Sequence, residues 1–312
     1  MQAKGRRLDQ IKKHSVFYLF LLPGVISAFI FNYIPMGGII MAFQDYRPQD
    51  GWLHSDLVGL KHFIDFLTDP DFYRALRNTL GINFLMILIG FPLPIIFSLA
   101  LHEMRSEKFK RGVQTITYLP HFLSWVVVAG LAYRMFEQDY GAVNLLISLF
   151  GHEKIAFFRE SKYFWGLIVG LSIWKELGWN SIVYLAALST VDPVLYEAAM
   201  VDGASRWQRL WKITIPSIAP TIAIMLVLQV GALVSSTASG SWGVNFDAVF
   251  NLKNAMVAEK AITLDVFVYQ QGIQYNRVSL AAAVGVVQSI VSLILVAITN
   301  KASKKMSGAS VL

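Results

Sequence analysis

The sequence predicts an all-α integral membrane protein with six transmembrane helices and both termini on the cytoplasmic side. Three observations carry that prediction. The 312 residues are 55% hydrophobic and only 15% charged, outside the balance of a soluble domain. Asp, Glu, Lys and Arg are absent from 14–44, 78–102, 112–133, 213–246 and 278–300. Each of these stretches holds the roughly 20 residues that a crossing of about 30 Å of hydrocarbon requires. Finally, 15 Lys and Arg fall within the 66 residues of 1–15, 103–112, 189–217 and 301–312, against 11 in about 100 residues of the alternate segments. Cytoplasmic loops are the basic ones. The net charge of +7 is thereby accounted for by membrane flanks, and no nucleic-acid partner is expected. With no cysteines, neither a disulfide framework nor a thiolate metal site is available.

Taken in order, residues 1–15 read as a basic cytoplasmic segment before an uncleaved first helix over about 16–43. The apolar run is too long for a signal peptide, and no small-residue cleavage site ends it. Pro23 and Pro35 in this helix, Pro92 and Pro94 in the second (79–102) and Pro120 in the third (113–133) remove backbone hydrogen bonds. They predict bends or local openings, which neighbouring helices or waters satisfy. Between the first two spans, VGLKHFIDFLTDPDFYRALRNTL (58–80) alternates apolar and charged residues at near-helical spacing. It predicts short amphipathic helices at the outer surface, where a solute-delivering partner would dock. The fourth span, 163–188, is apolar except for Lys175 and Glu176. The fifth and sixth occupy about 217–238 and 278–300, and 301–312 forms a cytoplasmic tail. No linker, repeat or charge block divides 16–300, so one membrane domain is expected.

The longest inner loop, 189–217, has a structure of its own. In TVDPVLYEAAMVDGAS, Asp192 is placed to cap a helix whose first residue is Pro193, where a missing N–H costs little. Gly203 supplies the left-handed stop. Ala198 and Ala199 give this short helix a low-relief surface, while Leu195, Met200 and Val201 supply apolar area, so it reads as a docking helix. After it, SRWQRLWKI turns Arg206, Arg209 and Lys212 toward water and Trp207, Leu210 and Trp211 toward the lipid interface. Pro216 and Pro220 are expected to break the chain before the fifth span.

These residues resemble the permease subunits of binding-protein-dependent ABC importers. The hallmark of that family is a cytoplasmic loop reading Glu-Ala-Ala, three residues, Gly, nine residues, then Ile, any residue, Leu, Pro. Glu197, Ala198, Ala199, Gly203, Ile213, Ile215 and Pro216 stand at those spacings, with Ile in place of Leu as the one departure. NYIPMGGIIMAFQDY, RNTL, YLPHFLSW, WKELGWNSIVYLAAL and VFVYQQG extend the resemblance along the chain, to the branch importing oligo- and polysaccharides. The resemblance implies a maltose-permease-like type I fold in a bacterial cell membrane. It also implies a second homologous permease, two cytoplasmic ATPase subunits and an extracytoplasmic solute-binding protein. Glu197, Ala198, Ala199, Met200, Gly203, Ile213 and Pro216 would then couple to the ATPases. No GxxxxGK[ST] phosphate loop occurs, so ATP and Mg are expected on those partners and no cofactor on this chain.

A charge at the bilayer centre costs about 2.5 to 3.5 kcal/mol or more unless paired or hydrated. Lys175 and Glu176 are therefore expected to pair, although neighbours on a helix point about 100° apart, so at least one should meet another helix. Trp174, Trp179, Asn180 and Tyr184 near them are sugar-binding residue types, and Asn83, Gln229 and Gln288 are further hydrogen-bond formers within spans. Lining a polar path and bonding helix to helix are both open to each of the nine. The six histidines, at 14, 54, 62, 102, 121 and 152, never recur at i, i+3 or i, i+4, and no G-x-S-x-G or H-E-x-x-H occurs, so catalysis and a metal site are not expected. An importer of a non-sugar solute and an ion-coupled carrier stand as alternatives, the latter without the inverted repeats usual for it.

Overall fold

The computed structural model describes residues 15–234 and 246–307. The expected segment 1–14, the end of the fifth span beyond residue 234 and the tail from 308 lie outside them. In chain order the principal helices are α1 (Val16–Phe43), α2 (Lys61–Leu67), α3 (Pro70–His102), α4 (Glu107–Phe122), α5 (Trp125–Met135) and α6 (Ala142–Leu149). They continue with α7 (Phe164–Ser189), α8 (Pro193–Val201), α9 (Arg206–Gly231), α10 (Phe246–Leu252), α11 (Leu264–Tyr269) and α12 (Val278–Ser307). Among the described residues α1, α3, α9 and α12 are long and apolar enough to cross a membrane singly. Bent pairs α4–α5 (104°) and α7–α8 (67°) raise the number to as many as six.

Two compact units emerge, although no change in composition marks a border. The first comprises the chain up to Phe66 together with Gln271–Val286. In it β1 (Gln44–Asp45) pairs antiparallel with β2 (Asp56–Leu57), with Gln44 opposite Leu57. The backbone of Tyr46 donates to the Ser279 hydroxyl at 3.0 Å, and the His62 ring lies 3.0 Å from the Gln44 carbonyl. Before its last turn, where Ala42 is buried, α1 leaves its large apolar side chains largely exposed, Phe20 at 80% and Phe31 at 73%, so this helix requires lipid or another protein around it.

The second unit, Leu67–Gln270 and Val287 onward, holds the main core. Ile82 of α3, Val128 of α5, Ile168 of α7 and Leu252 of α10 meet there, each at most 1% exposed. The expected short surface helices over 58–80 are only partly present, because α3 already begins at Pro70. Asp69 caps it, accepting from the Asp71 amide at 2.8 Å. About two turns further on, Asn78 is fully buried and donates to the carbonyls of Glu259 and Ile262 at 2.9 and 2.8 Å. Asn78→Ala orphans both acceptors, which is expected to lower stability by about 1 to 3 kcal/mol. Thermal unfolding in detergent checks this, and an unchanged midpoint would remove the bonds from the account.

The prolines act in two ways. Three π-turns, Phe29–Tyr33, Met86–Gly90 and Leu210–Thr214, are each followed by one residue and then by Pro35, Pro92 or Pro216. In the second, Phe91 donates to the Met86 carbonyl at 2.8 Å, five residues back. A proline ring clashes with the carbonyl four residues before it, and the widened turn moves that carbonyl aside. The expected break at Pro216 and Pro220 is therefore absent, and α9 runs unbroken from Arg206 to Gly231. At Pro120 the opposite holds. The expected third span, 113–133, is divided by a 3₁₀ turn at Leu119–Phe122, after which Ser124 caps α5.

Candidate functional site

The turn from α7 to α9 is built by local chemistry. The Asp192 carboxylate accepts from the Val194 amide at 2.9 Å, Pro193 fills the first position of α8, and Gly203 takes φ +76°. The Ala204 amide then closes on the Ala199 carbonyl at 2.8 Å. Ser205 and Gln208 cap the start of α9 reciprocally, at 3.3 and 2.7 Å. The Tyr196 hydroxyl lies 3.0 Å from that of buried Thr214, tying α8 to α9. Glu197, Ala198, Met200 and Pro216 are exposed, while Ala199 and Ile213 are half-buried. The Glu197 side chain makes no hydrogen bond among the described residues, so its carboxylate is available to a partner. Trp207 and Trp211 are 70% and 62% exposed, as a lipid-interface face requires, whereas Leu210 is half-buried.

A second constellation lies at the break between α4 and α5. The Lys175 ammonium is 2.9 Å from Glu176 Oε1 and donates to the His121 carbonyl at 2.7 Å. Glu176 Oε2 is 2.7 Å from His121 Nδ1. The His121 ring stacks on Trp179, with centroids 4.1 Å apart and planes 1° from parallel, and the Lys175 ammonium is 5.7 Å from the Trp125 ring centroid. Lys175 and Glu176 thus both meet one residue of another helix, despite leaving α7 in different directions. The flexible lysine stem closes the angle. His121 and Trp125 were not singled out in the sequence. A buried carboxylate in an apolar span demands a donor, and His121 stands inside the charge-free stretch 112–133.

The remaining residues expected along a solute path divide. Trp174 and Trp179 are 47% and 39% exposed, and Trp174 borders a mainly apolar cavity of about 660 Å³ between α5 and α7, with Met135, Phe157 and Tyr163 among its other walls. Asn180 is buried and Tyr184 fully so. Asn83 donates to the Leu233 carbonyl at 2.8 Å and Gln288 to that of Val234 at 2.9 Å, so both fasten the chain just past α9. Gln229, buried in α9, lies one turn before them.

The family model described as binding-protein-dependent transport system inner membrane component matches residues 90–307. The chain is 42% identical over 304 residues to the polygalacturonan/rhamnogalacturonan transport system permease protein YteP of Bacillus subtilis (strain 168), covering 97% of this chain and 92% of that protein. Protein LplB of the same organism is 41% identical over 295 residues, 95% and 90% of the two chains. Among solved structures, the bacterial alginate ABC transporter in complex with alginate pentasaccharide-bound periplasmic protein contains a chain similar to this one. It matches with a TM-score of 0.87 and 37% identity, over 97% of this chain and 99% of that one. The capped, exposed α8, its junction with a long apolar α9 and the extent of these matches lead to one conclusion: the chain belongs to the family of inner membrane components of binding-protein-dependent transport systems.

Proposed function

We propose that this chain is the permease subunit of an ATP-driven importer that carries a uronate-bearing oligo- or polysaccharide across the bacterial cell membrane. It pairs with a second homologous permease, with two cytoplasmic ATPase subunits that bind ATP and Mg, and with an extracytoplasmic protein that delivers the solute. The chain itself is non-catalytic. The observation that carries this reading is the geometry of α8, a capped helix with an exposed Glu-Ala-Ala surface, braced against α9 by Tyr196 and Thr214. Placed on the cytoplasmic side with both termini, as the Lys and Arg distribution supports, α8 is the coupling helix.

The acidic solute is supported by the polygalacturonan, rhamnogalacturonan and alginate in the names of its relatives. Lys175 is already held by Glu176 and His121, so it is not the counter-charge. Exposed Trp174 offers a ring face to sugars, whereas one face of Trp179 is taken by His121.

The test is reconstitution of the whole complex in vesicles. Glu197→Ala and Gly203→Val are each expected to lower solute-stimulated ATP hydrolysis by about tenfold, as loss of an interface contact of roughly 1.4 kcal/mol would. At Gly203 the β-branched side chain meets a left-handed backbone costing roughly 1 to 2 kcal/mol. Uptake that continues without the ATPases would sink the reading. Equal stimulation by delivery proteins loaded with galacturonate oligomers and with neutral glucose oligomers would remove the acidic solute alone.

A further inference from the structure

Beside the coupling turn lies a cavity of about 320 Å³ that transport does not explain. Its walls are His102 and Glu103 at the end of α3, Arg105 just beyond, Tyr196 of α8, and Arg206 and Arg209 at the start of α9. Three guanidinium groups against one carboxylate leave it two positive charges in excess with His102 neutral. Among the described residues, none of the three arginines has a carboxylate within salt-bridge distance, and their side chains make no hydrogen bond. Three like charges line one cavity, an arrangement that a bound anion would relieve. The Tyr196 hydroxyl is fixed by Thr214 and the start of α9 by its capping box, so that side of the cavity is set in place beforehand.

Arginine forks match the paired oxygens of a phosphate, and a cluster of them marks a phosphate site more sharply than lysines would. The depth of the cavity identifies the source. Trp207 and Trp211 are exposed on the same stretch of α9, which places it at the level of lipid headgroups. An excess of positive charge disfavours headgroups that carry an ammonium. We propose that this cavity binds the phosphate of an anionic glycerophospholipid such as phosphatidylglycerol, clamped between the end of α3 and the start of α9. The site goes beyond the transport function, and its test reads lipid retention by the complex rather than transport.

The assembled transporter, stripped of lipid in detergent, is titrated with phosphatidylglycerol or phosphatidylcholine, and retained lipid is read by native mass spectrometry. Phosphatidylglycerol is expected to bind at least about tenfold more tightly. A juxtamembrane Arg contributes about a factor of five, so Arg206→Gln/Arg209→Gln should weaken it about 30-fold without altering phosphatidylcholine retention. Arg105→Gln, on the opposite wall and in an exposed loop, should weaken it about fivefold and serves if the double variant fails to assemble. Equal retention of the two lipids, or phosphatidylglycerol binding unchanged in these variants, overturns the proposal. Full displacement by an equal concentration of inorganic phosphate overturns the lipid source and makes the cavity a free-anion site.

Discussion

Gly178→Ala is expected to lower stability by about 3 kcal/mol, the upper end of the usual cost of overpacking. A Cβ on Gly178 of α7 would stand 2.3 Å from the Thr117 carbonyl oxygen of α4 and 2.8 Å from the Tyr118 ring. Backbone cannot rotate out of the way as a side chain does, so the two helices must separate. Alanine in place of glycine favours a helix interior by about 1 kcal/mol, which does not offset that collision. Gly170→Ala in the same helix is the control. Its Cβ meets nothing within 4 Å, and the variant should be neutral or slightly more stable. Thermal unfolding of both in detergent decides the matter, and equal midpoints would mean that α4 and α7 do not approach so closely.

The ion cluster yields the other large effect. Glu176→Leu leaves the Lys175 ammonium buried with only the His121 carbonyl, and Lys175→Leu leaves Glu176 with His121 alone. Breaking a buried pair from one side costs about 3 to 5 kcal/mol, whereas replacing both partners by apolar residues of similar size is often neutral. Lys175→Leu/Glu176→Leu is therefore expected to recover most of the stability lost in either single variant. Its transport should recover as well on the proposal that the cluster serves to fasten the α4–α5 break to α7. A double variant that is stable yet inactive would put these side chains in the path instead. Additive losses would show that the pair is not a unit.

What was legible in the sequence follows from how local the cause is. Hydrocarbon excludes charge, so the charge-free stretches located α1, α3, α9 and α12, and capping chemistry within a few residues located α8. The same chemistry at Asp69 and Pro70, twin to Asp192 and Pro193, marks the early start of α3, although the charged residues around it also fit short surface helices. The distant partners of Asn83, Glu176 and Gln288 are not legible, since they lie 150, 55 and 54 residues away and depend on how helices pack. Pro120 and Pro216 show the limit most clearly. One ends a helix and the other is absorbed by a wide turn, and the residue itself is the same.

The unbroken run of α9 has a mechanical consequence. Its 26 residues form a rod about 39 Å long at 1.5 Å per residue. With no break between Arg206 and Gly231, a tilt of only about 5° at the base sweeps the far tip through about 3.4 Å, given that length. Spin-label distances from Trp207 and from Leu228 to a fixed reference, taken with and without nucleotide, would register the two ends swinging as one crank.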